Sequence, residues 1–206
     1  MPNNIINATS TGSGGLITTA ADSGSLELQS DGTTIATLSS TGLTMAAGKK
    51  VFSEGSVLQV VSATKTDTFS SSGNTWNDIT GLSVSITPSS TSNKILILVN
   101  ASFSSDGSNY DVAFALYKNG SALSGATGDA AGSRGRVTFS GALRDQYELN
   151  NGGMNYLDSP STTSSTTYSL RVKNQGTIYI NRESNNDDNE WCSRGVSSIT
   201  VMEIKG

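Results

Sequence analysis

The stretches Leu82-Ser83-Val84-Ser85-Ile86 and Lys94-Ile95-Leu96-Ile97-Leu98-Val99 decide the fold of this chain. In the first stretch apolar residues alternate with serine, which is the pattern of a β-strand with one buried face. In the second stretch successive residues are apolar, which is typical of a central strand buried on both faces. Thr87-Pro88-Ser89-Ser90 separates them and breaks the first strand. Together they predict an all-β domain rather than a helical one.

Similar short runs, separated by Gly, Asn and Ser clusters, continue to the end of the chain. Asn119-Gly120 is a pair favoured in two-residue hairpin turns, and Asn174-Gln175-Gly176 joins two alternating runs. This series predicts an antiparallel jelly-roll sandwich, of the tumour-necrosis-factor and complement kind, over residues 56–206. The predicted strands are 57–63, 65–69, 82–87, 94–103, 111–118, 136–143, 167–173, 177–181 and 196–204.

The N-terminal part of the sequence has a different character. Residues 1–24 contain few large apolar side chains and are predicted to form an extended attachment arm, whose assembly candidates are Ile5, Ile6, Leu16 and Ile17. Residues 25–55 predict a stem of two or three short strands, with a tight turn at Asp31-Gly32. So few strands are marginal alone in water. They either dock on the C-terminal domain or intertwine with other copies of the chain, and we favour intertwining in a homotrimer.

Composition excludes several functional classes. The chain has no histidine, so a Ser-His-Asp or Cys-His mechanism is impossible within one chain. Cys192 is the only cysteine, which excludes an intrachain disulfide and a multi-cysteine zinc site. The net charge is −4 and the basic residues are scattered, which argues against a nucleic-acid partner. The sequence also predicts no secretion signal and no membrane insertion. We therefore expect a protein without catalysis, cofactor or metal.

Carboxylates leave two narrower possibilities. A glycoside-hydrolase mechanism needs only two carboxylates, and candidates exist among Asp106, Asp111, Asp145, Glu148 and Asp158. The acidic segment 183–190 could supply oxygen ligands for calcium, although its spacing does not match a calcium-binding loop motif. In both cases solvated surface carboxylates are the favoured interpretation.

Aromatic residues outside the predicted strands are the better functional candidates. Flat rings stack on sugar faces, and Asn and Asp side chains hydrogen-bond sugar hydroxyls. Residues 141–166 are predicted to be mostly loop and are the first choice for a contact surface. Trp76 is interpreted as a packing residue, because strand residues follow it closely. The predicted receptor contacts are Tyr110, Tyr147, Tyr156, Trp191, Asn155 and Asp158.

The run from Trp76 to Leu96, followed by Ala113 to Gly120, resembles C-terminal domains of tailed-bacteriophage fibre and virion proteins. The segment from Ser25 to Thr44 is similar to the short repeat that precedes such domains. The resemblance implies a trimeric jelly roll, an N-terminal arm held by another virion protein, and a distal domain that faces the host. It carries over no catalytic residue.

These observations predict a bacteriophage virion structural protein, specifically a trimeric tail fibre or spike. Its expected location is the virion, after assembly in the host cytoplasm. The alternative is a capsid decoration, cement or head-fibre protein that binds no receptor. Lectin-like recognition of host surface polysaccharide by the distal loops, and a glycan-degrading enzyme, are further possibilities.

Overall fold

The structure is a computed structural model that describes residues 25–106, 111–143 and 146–206. The chain divides into two compact units, with the boundary between Ser53 and Glu54. The predicted arm, with Ile5, Ile6, Leu16 and Ile17, lies outside the described residues, as does the predicted receptor contact Tyr110.

The described part of the first unit is a three-stranded antiparallel sheet. Its strands, β1 (Leu26–Ser30), β2 (Thr33–Ser39) and β3 (Gly42–Met45), are neighbours in chain order. The predicted tight turn is confirmed, because Asp31 (φ 49°) and Gly32 (φ 72°) are both left-handed, as a type I′ turn requires. Leu38 pairs with Leu43, and these side chains are 47% and 55% exposed. One face of this sheet therefore keeps apolar side chains in contact with solvent.

The second unit is an antiparallel sandwich of two sheets, as the sequence predicts. One sheet has five strands in the order β10-β8-β12-β6, with β9 beside β8. The other has six in the order β4-β14-β7-β13-β5, with β11 beside β7. The strands are β4 (Val57–Lys65), β5 (Phe69–Ser72), β6 (Asn77–Ile86), β7 (Lys94–Ser105), β8 (Asp111–Lys118), β9 (Ser121–Ala122), β10 (Phe139–Ala142), β11 (Asn150–Asp158), β12 (Thr166–Lys173), β13 (Thr177–Ile180) and β14 (Ser197–Ile204).

The core lies between the two sheets and is built from the inward half of each alternating strand. Leu82, Val84 and Ile86 of β6 are all buried, as their alternation with serine predicts. Aromatic rings fill the middle, where the Phe103 and Phe114 centroids are 4.9 Å apart. The predicted hairpin turn after β8 is confirmed by left-handed Asn119 (φ 50°) and Gly120 (φ 80°).

Two strand predictions are wrong. The predicted strand 65–69 is displaced, because β4 continues to Lys65 and β5 begins only at Phe69. The predicted loop 141–166 contains the nine-residue strand β11, which pairs with β7 along its whole length. Its sequence, NNGGMNYLD, has no β-branched residue and a single aromatic one, so its strand propensity is weak. Glycine is needed at Gly153, where an added Cβ would lie 2.3 Å from the Val99 carbonyl oxygen.

Strand β7 is central, but over residues 94–100 only one of its faces is covered, whereas Ser102 and Ser104 are buried on the opposite face. Ile95, Ile97 and Val99 are buried in the core, whereas Leu96 and Leu98 point to the opposite face and are half-buried. The prediction that both faces of this strand are buried is therefore wrong for a single copy of the chain.

Candidate functional site

The structure separates the predicted receptor contacts into three groups. Tyr147 and Trp191 are 59% and 82% exposed. Their segments lie side by side, because the Asn185 backbone N–H donates to the Gln146 carbonyl. Asn155 is exposed on β11, whereas Tyr156, the next residue, is half-buried and packs against the core. Asp158 is interior, and Tyr110 is not described.

Asp158 joins an internal polar cluster rather than a surface. It is 5% exposed and accepts hydrogen bonds from the Tyr168 hydroxyl (2.6 Å) and the Lys118 ammonium (2.9 Å). Burial, followed by the hydrogen bond to Asp158, raises the pKa of Tyr168 well above its ordinary value. The phenol therefore stays protonated and remains a donor. This position suits a structural role for Asp158.

Tyr168→Phe is expected to destabilise the chain by about 1–2 kcal/mol, because the buried carboxylate loses one of its donors. Urea denaturation of the full chain measures the loss. Tyr179→Phe is the matched control, since Tyr179 is half-buried and contacts Arg182 through its ring face. Equal stabilities of the Tyr168 variant and the parent would contradict the structural role.

An exposed apolar row crosses the outer face of the six-stranded sheet. Leu157 of β11 pairs with Leu96 of β7, Leu96 pairs with Met202 of β14, and Met202 pairs with Val60 of β4. Leu157 and Val60 are 47% and 54% exposed, and Leu96 and Met202 are half-buried. We call these four residues the outer apolar row. No charged side chain belongs to it.

A cleft of about 620 Å³ lies on the opposite side of the sandwich, against the five-stranded sheet. Ala113 of β8 pairs with Ser140 of β10, and Ala142 pairs with Asp111. These alternate positions carry Ala113, Ser140 and Ala142 toward the outer face, and all three line the cleft. Small side chains on a sheet between taller neighbours leave a depression, which is how this sequence produces the cleft.

Trp76 and Arg136 both line the cleft. The Trp76 ring contacts Tyr117, with centroids 6.3 Å apart and planes tilted by 56°. Tyr117 is in turn covered by the Arg171 guanidinium, 4.1 Å from its centroid, and Asp78 holds that guanidinium through two hydrogen bonds of 2.7 and 3.0 Å. Trp76 therefore both packs against Tyr117 and lines the cleft.

Asn174 also lines the cleft and is 3% exposed. Its Oδ1 accepts the Gly176 backbone N–H at 3.3 Å, whereas its buried Nδ2 has no hydrogen-bond partner among the described residues. Sequence reasoning used this turn only as a strand connector. No sequence pattern marks the site, because only the antiparallel pairing of β6 with β12 brings the segment before Asn77 next to the segment after Val172.

Over residues 25–106, 111–143 and 146–206, no group of three or more cysteine, aspartate or glutamate residues is placed to hold a metal ion. In the acidic segment 183–190, Asp187, Asp188 and Glu190 are exposed, whereas Glu183 is buried and accepts the Ser193 backbone N–H. In the same described part of the chain, no helix has the length and apolar character needed to cross a membrane.

By its fold this chain is an all-β protein built on an antiparallel sandwich. Solved structures of infectious bursal disease virus proteins are similar to it at 12% sequence identity and 82% coverage of this chain. The T=1 particle has a TM-score of 0.41, the VP2 subviral particle 0.36 and the Gt strain 0.38. The chain spans less than half of each, at 40%, 45% and 42%. No protein-family model matches the sequence, and no curated protein is significantly similar to it.

Proposed function

We propose that this chain is a structural protein of a bacteriophage virion, a homotrimeric tail fibre or spike without catalytic activity. Its N-terminus attaches to another virion protein, and its β-sandwich faces the host surface. The sequence resemblance given above supports the virion assignment. The observation that carries the homotrimer is the outer apolar row on a sheet whose central strand has the sequence of a strand buried on both faces.

A second copy of the chain is the occupant that best fits the outer apolar row. In a threefold assembly, residues near the symmetry axis meet their own copies, so a charged face placed there would repel itself. The outer apolar row has no charge; Thr200 and Ser62 beside it carry hydroxyl groups, and Lys94, at the end of β7, is the nearest charged residue on the same face. Burying Leu157 and Val60 would also remove large apolar side chains from water, at about 25 cal/mol for each Å² covered. The exposed leucines of β2 and β3 support the same arrangement in the stem.

Light scattering of the purified full chain tests the assembly. We expect a mass three times that of the 21.3 kDa chain, and a stable monomer would overturn the homotrimer. Val60→Lys combined with Leu157→Lys should shift the protein toward smaller species at equal concentration, because the row would gain like charges. Ser83→Lys is the matched control, since Ser83 is exposed on the other sheet.

Labelling of intact particles with an antibody against the chain tests the location. Label on the tail supports the fibre or spike. Label on the head instead indicates the capsid decoration or cement alternative, and particles without label would overturn the virion assignment.

A further inference from the structure

The cleft beside Trp76 is not needed for the assembly proposed above, and its lining differs from an ordinary solvent-exposed hollow. It combines an aromatic wall formed by Trp76, a floor of small side chains, the buried amide of Asn174 and three charged residues. A site that recognises a small molecule is typically a concave surface with a few oriented polar groups of this kind.

The aromatic wall is held in place before any ligand arrives. Trp76 packs on Tyr117, and the Arg171 guanidinium packs over the Tyr117 ring. Arg171 in turn donates two hydrogen bonds to Asp78, at 2.7 and 3.0 Å, which hold the guanidinium in position. A preorganised ring loses little conformational freedom when a flat ligand face packs against it. The apolar face of a pyranose ring has that shape.

Asn174 supplies the observation that points to a ligand. An amide N–H₂ group buried without an acceptor loses the hydrogen bonds that it makes in water, at a cost of about 1–3 kcal/mol. Among the described residues none accepts from Asn174 Nδ2, although Gly176 fixes the other end of the amide. Because Nδ2 is itself out of contact with solvent, an oxygen atom of a molecule in the cleft would satisfy this donor once the amide turns toward the cleft. Sugar hydroxyl, ring and carboxylate oxygens are all suitable acceptors.

The charges of the cleft indicate which kind of saccharide fits. Two cations, Lys173 and Arg136, and one carboxylate, Asp111, line it. None of these three forms a salt bridge within the described part of the chain. Arg136 is oriented by the Gly128 carbonyl, which accepts from its Nε at 2.6 Å, and by the Ser124 carbonyl. The excess positive charge favours an acidic ligand over a neutral one.

We propose that this cleft binds an acidic saccharide, with a uronic-acid ring against Trp76, an oxygen acceptor at Asn174 Nδ2 and the carboxylate toward Lys173 and Arg136. This assignment rests on the host-recognition part of the proposed function. It places the receptor site on the outer face of the five-stranded sheet, in a cleft that Tyr147 and Trp191, the exposed contacts predicted from the sequence, do not line.

The test is binding of the purified full chain to a panel of uronic-acid-containing oligosaccharides and their methyl-esterified, uncharged counterparts. We expect retention of at least one acidic member and at least fivefold weaker binding of its ester. Trp76→Ala should weaken binding about tenfold or more, and Trp76→Phe, which keeps an aromatic ring, should bind more tightly than Trp76→Ala. Lys173→Gln should reduce the salt dependence of binding. Asn174→Ala should weaken binding as well.

Two control variants separate the cleft from other surfaces. Trp191→Ala removes the most exposed tryptophan, and Lys94→Gln removes an equal charge on the other sheet. Both should bind within twofold of the parent. Failure of every panel member to bind, equal binding of acid and ester, or a larger loss with Trp191→Ala than with Trp76→Ala would overturn the site. Circular dichroism spectra and melting temperatures identify any variant that fails to fold. If Trp76→Ala fails to fold, the binding of Trp76→Phe tests the role of the ring.

The two proposals can fail separately. A chain that binds the acidic saccharide but is absent from particles would leave the cleft assignment standing and overturn the virion assignment. A trimer located on the tail that binds no panel member would leave the virion assignment standing and overturn the cleft assignment.

Discussion

Glu203→Leu is expected to destabilise the chain by about 3 kcal/mol or more, because it removes the acceptor of a buried polar network. Glu203 lies on the last strand and is 1% exposed. Its carboxylate accepts from the Ser89 backbone N–H (2.6 Å), the Ser89 hydroxyl (2.8 Å) and Gln59 Nε2 (2.6 Å), and also from Asn93 Nδ2. It therefore ties β14 to β4 and to the connection between β6 and β7. Without it, the buried Asn93 amide loses its carboxylate acceptor.

The same network makes stability depend on pH. Burial alone would raise the pKa of Glu203, but the hydrogen bonds from Asn93, Ser89 and Gln59 outweigh it, so the pKa falls below its ordinary value of 4.5. A carboxyl group whose folded pKa is depressed contributes stability that is present above its unfolded pKa. This contribution is lost as the pH falls through the lower, folded pKa. Acidification from pH 6 to pH 3 should therefore destabilise the parent chain.

Two variants separate charge from packing in urea denaturation curves recorded at several pH values. Glu203→Gln keeps the shape and one acceptor oxygen, so we expect a smaller loss at pH 6 and a weaker dependence on acid than in the parent. Glu190→Gln, at an exposed position of the acidic segment, should change stability by less than about 0.5 kcal/mol. A Glu203→Gln variant with the full acid dependence of the parent would show that other carboxyl groups are responsible.

The sequence predicted the sandwich because local pattern and burial agree over most of its strands. Leu82, Val84 and Ile86 alternate with serine and are buried, and Asn119-Gly120 forms the hairpin turn that its chemistry requires. Strand β11 was missed because its position depends on β7 rather than on its own residues. Its glycines allow close contact with β7 and carry no strand propensity.

The candidate sites were less accessible to sequence reasoning, since they depend on which side chains meet across strands. Asp158 occurs among Asn and Tyr and resembles a binding residue, but a lysine and a tyrosine from two other strands hold it inside. Trp76 and Asn174 lie in different turns, and only the pairing of β6 with β12 brings those turns to one cleft. The continuous apolar run from Ile95 to Val99 predicts burial of both faces, which one chain does not provide, and it therefore indicates a further subunit.

Phe103→Ala is expected to cost about 3–5 kcal/mol, since it opens a cavity at the centre of the core. Phe103 is 2% exposed and packs on Phe114. Its ring also requires glycine at position 141, because a Cβ added at Gly141 would lie 2.6 Å from Phe103 Cζ. Gly141→Ala should therefore destabilise by about 2 kcal/mol through overpacking. Urea denaturation of the full chain measures both losses.

A double-variant cycle tests whether these two positions share the same space. Phe103→Leu shortens the side chain at a cost of about 1–2 kcal/mol and makes room for the added Cβ. The double variant, Phe103→Leu with Gly141→Ala, should then lose about 1 kcal/mol less stability than the sum of the two single losses, whereas strict additivity would contradict the contact.

Gly141 lies between Ser140 and Ala142, whose side chains line the cleft. Because the Phe103 ring sets how closely β10 approaches the core, Gly141→Ala should also weaken saccharide binding, and Phe103→Leu should restore it in the double variant.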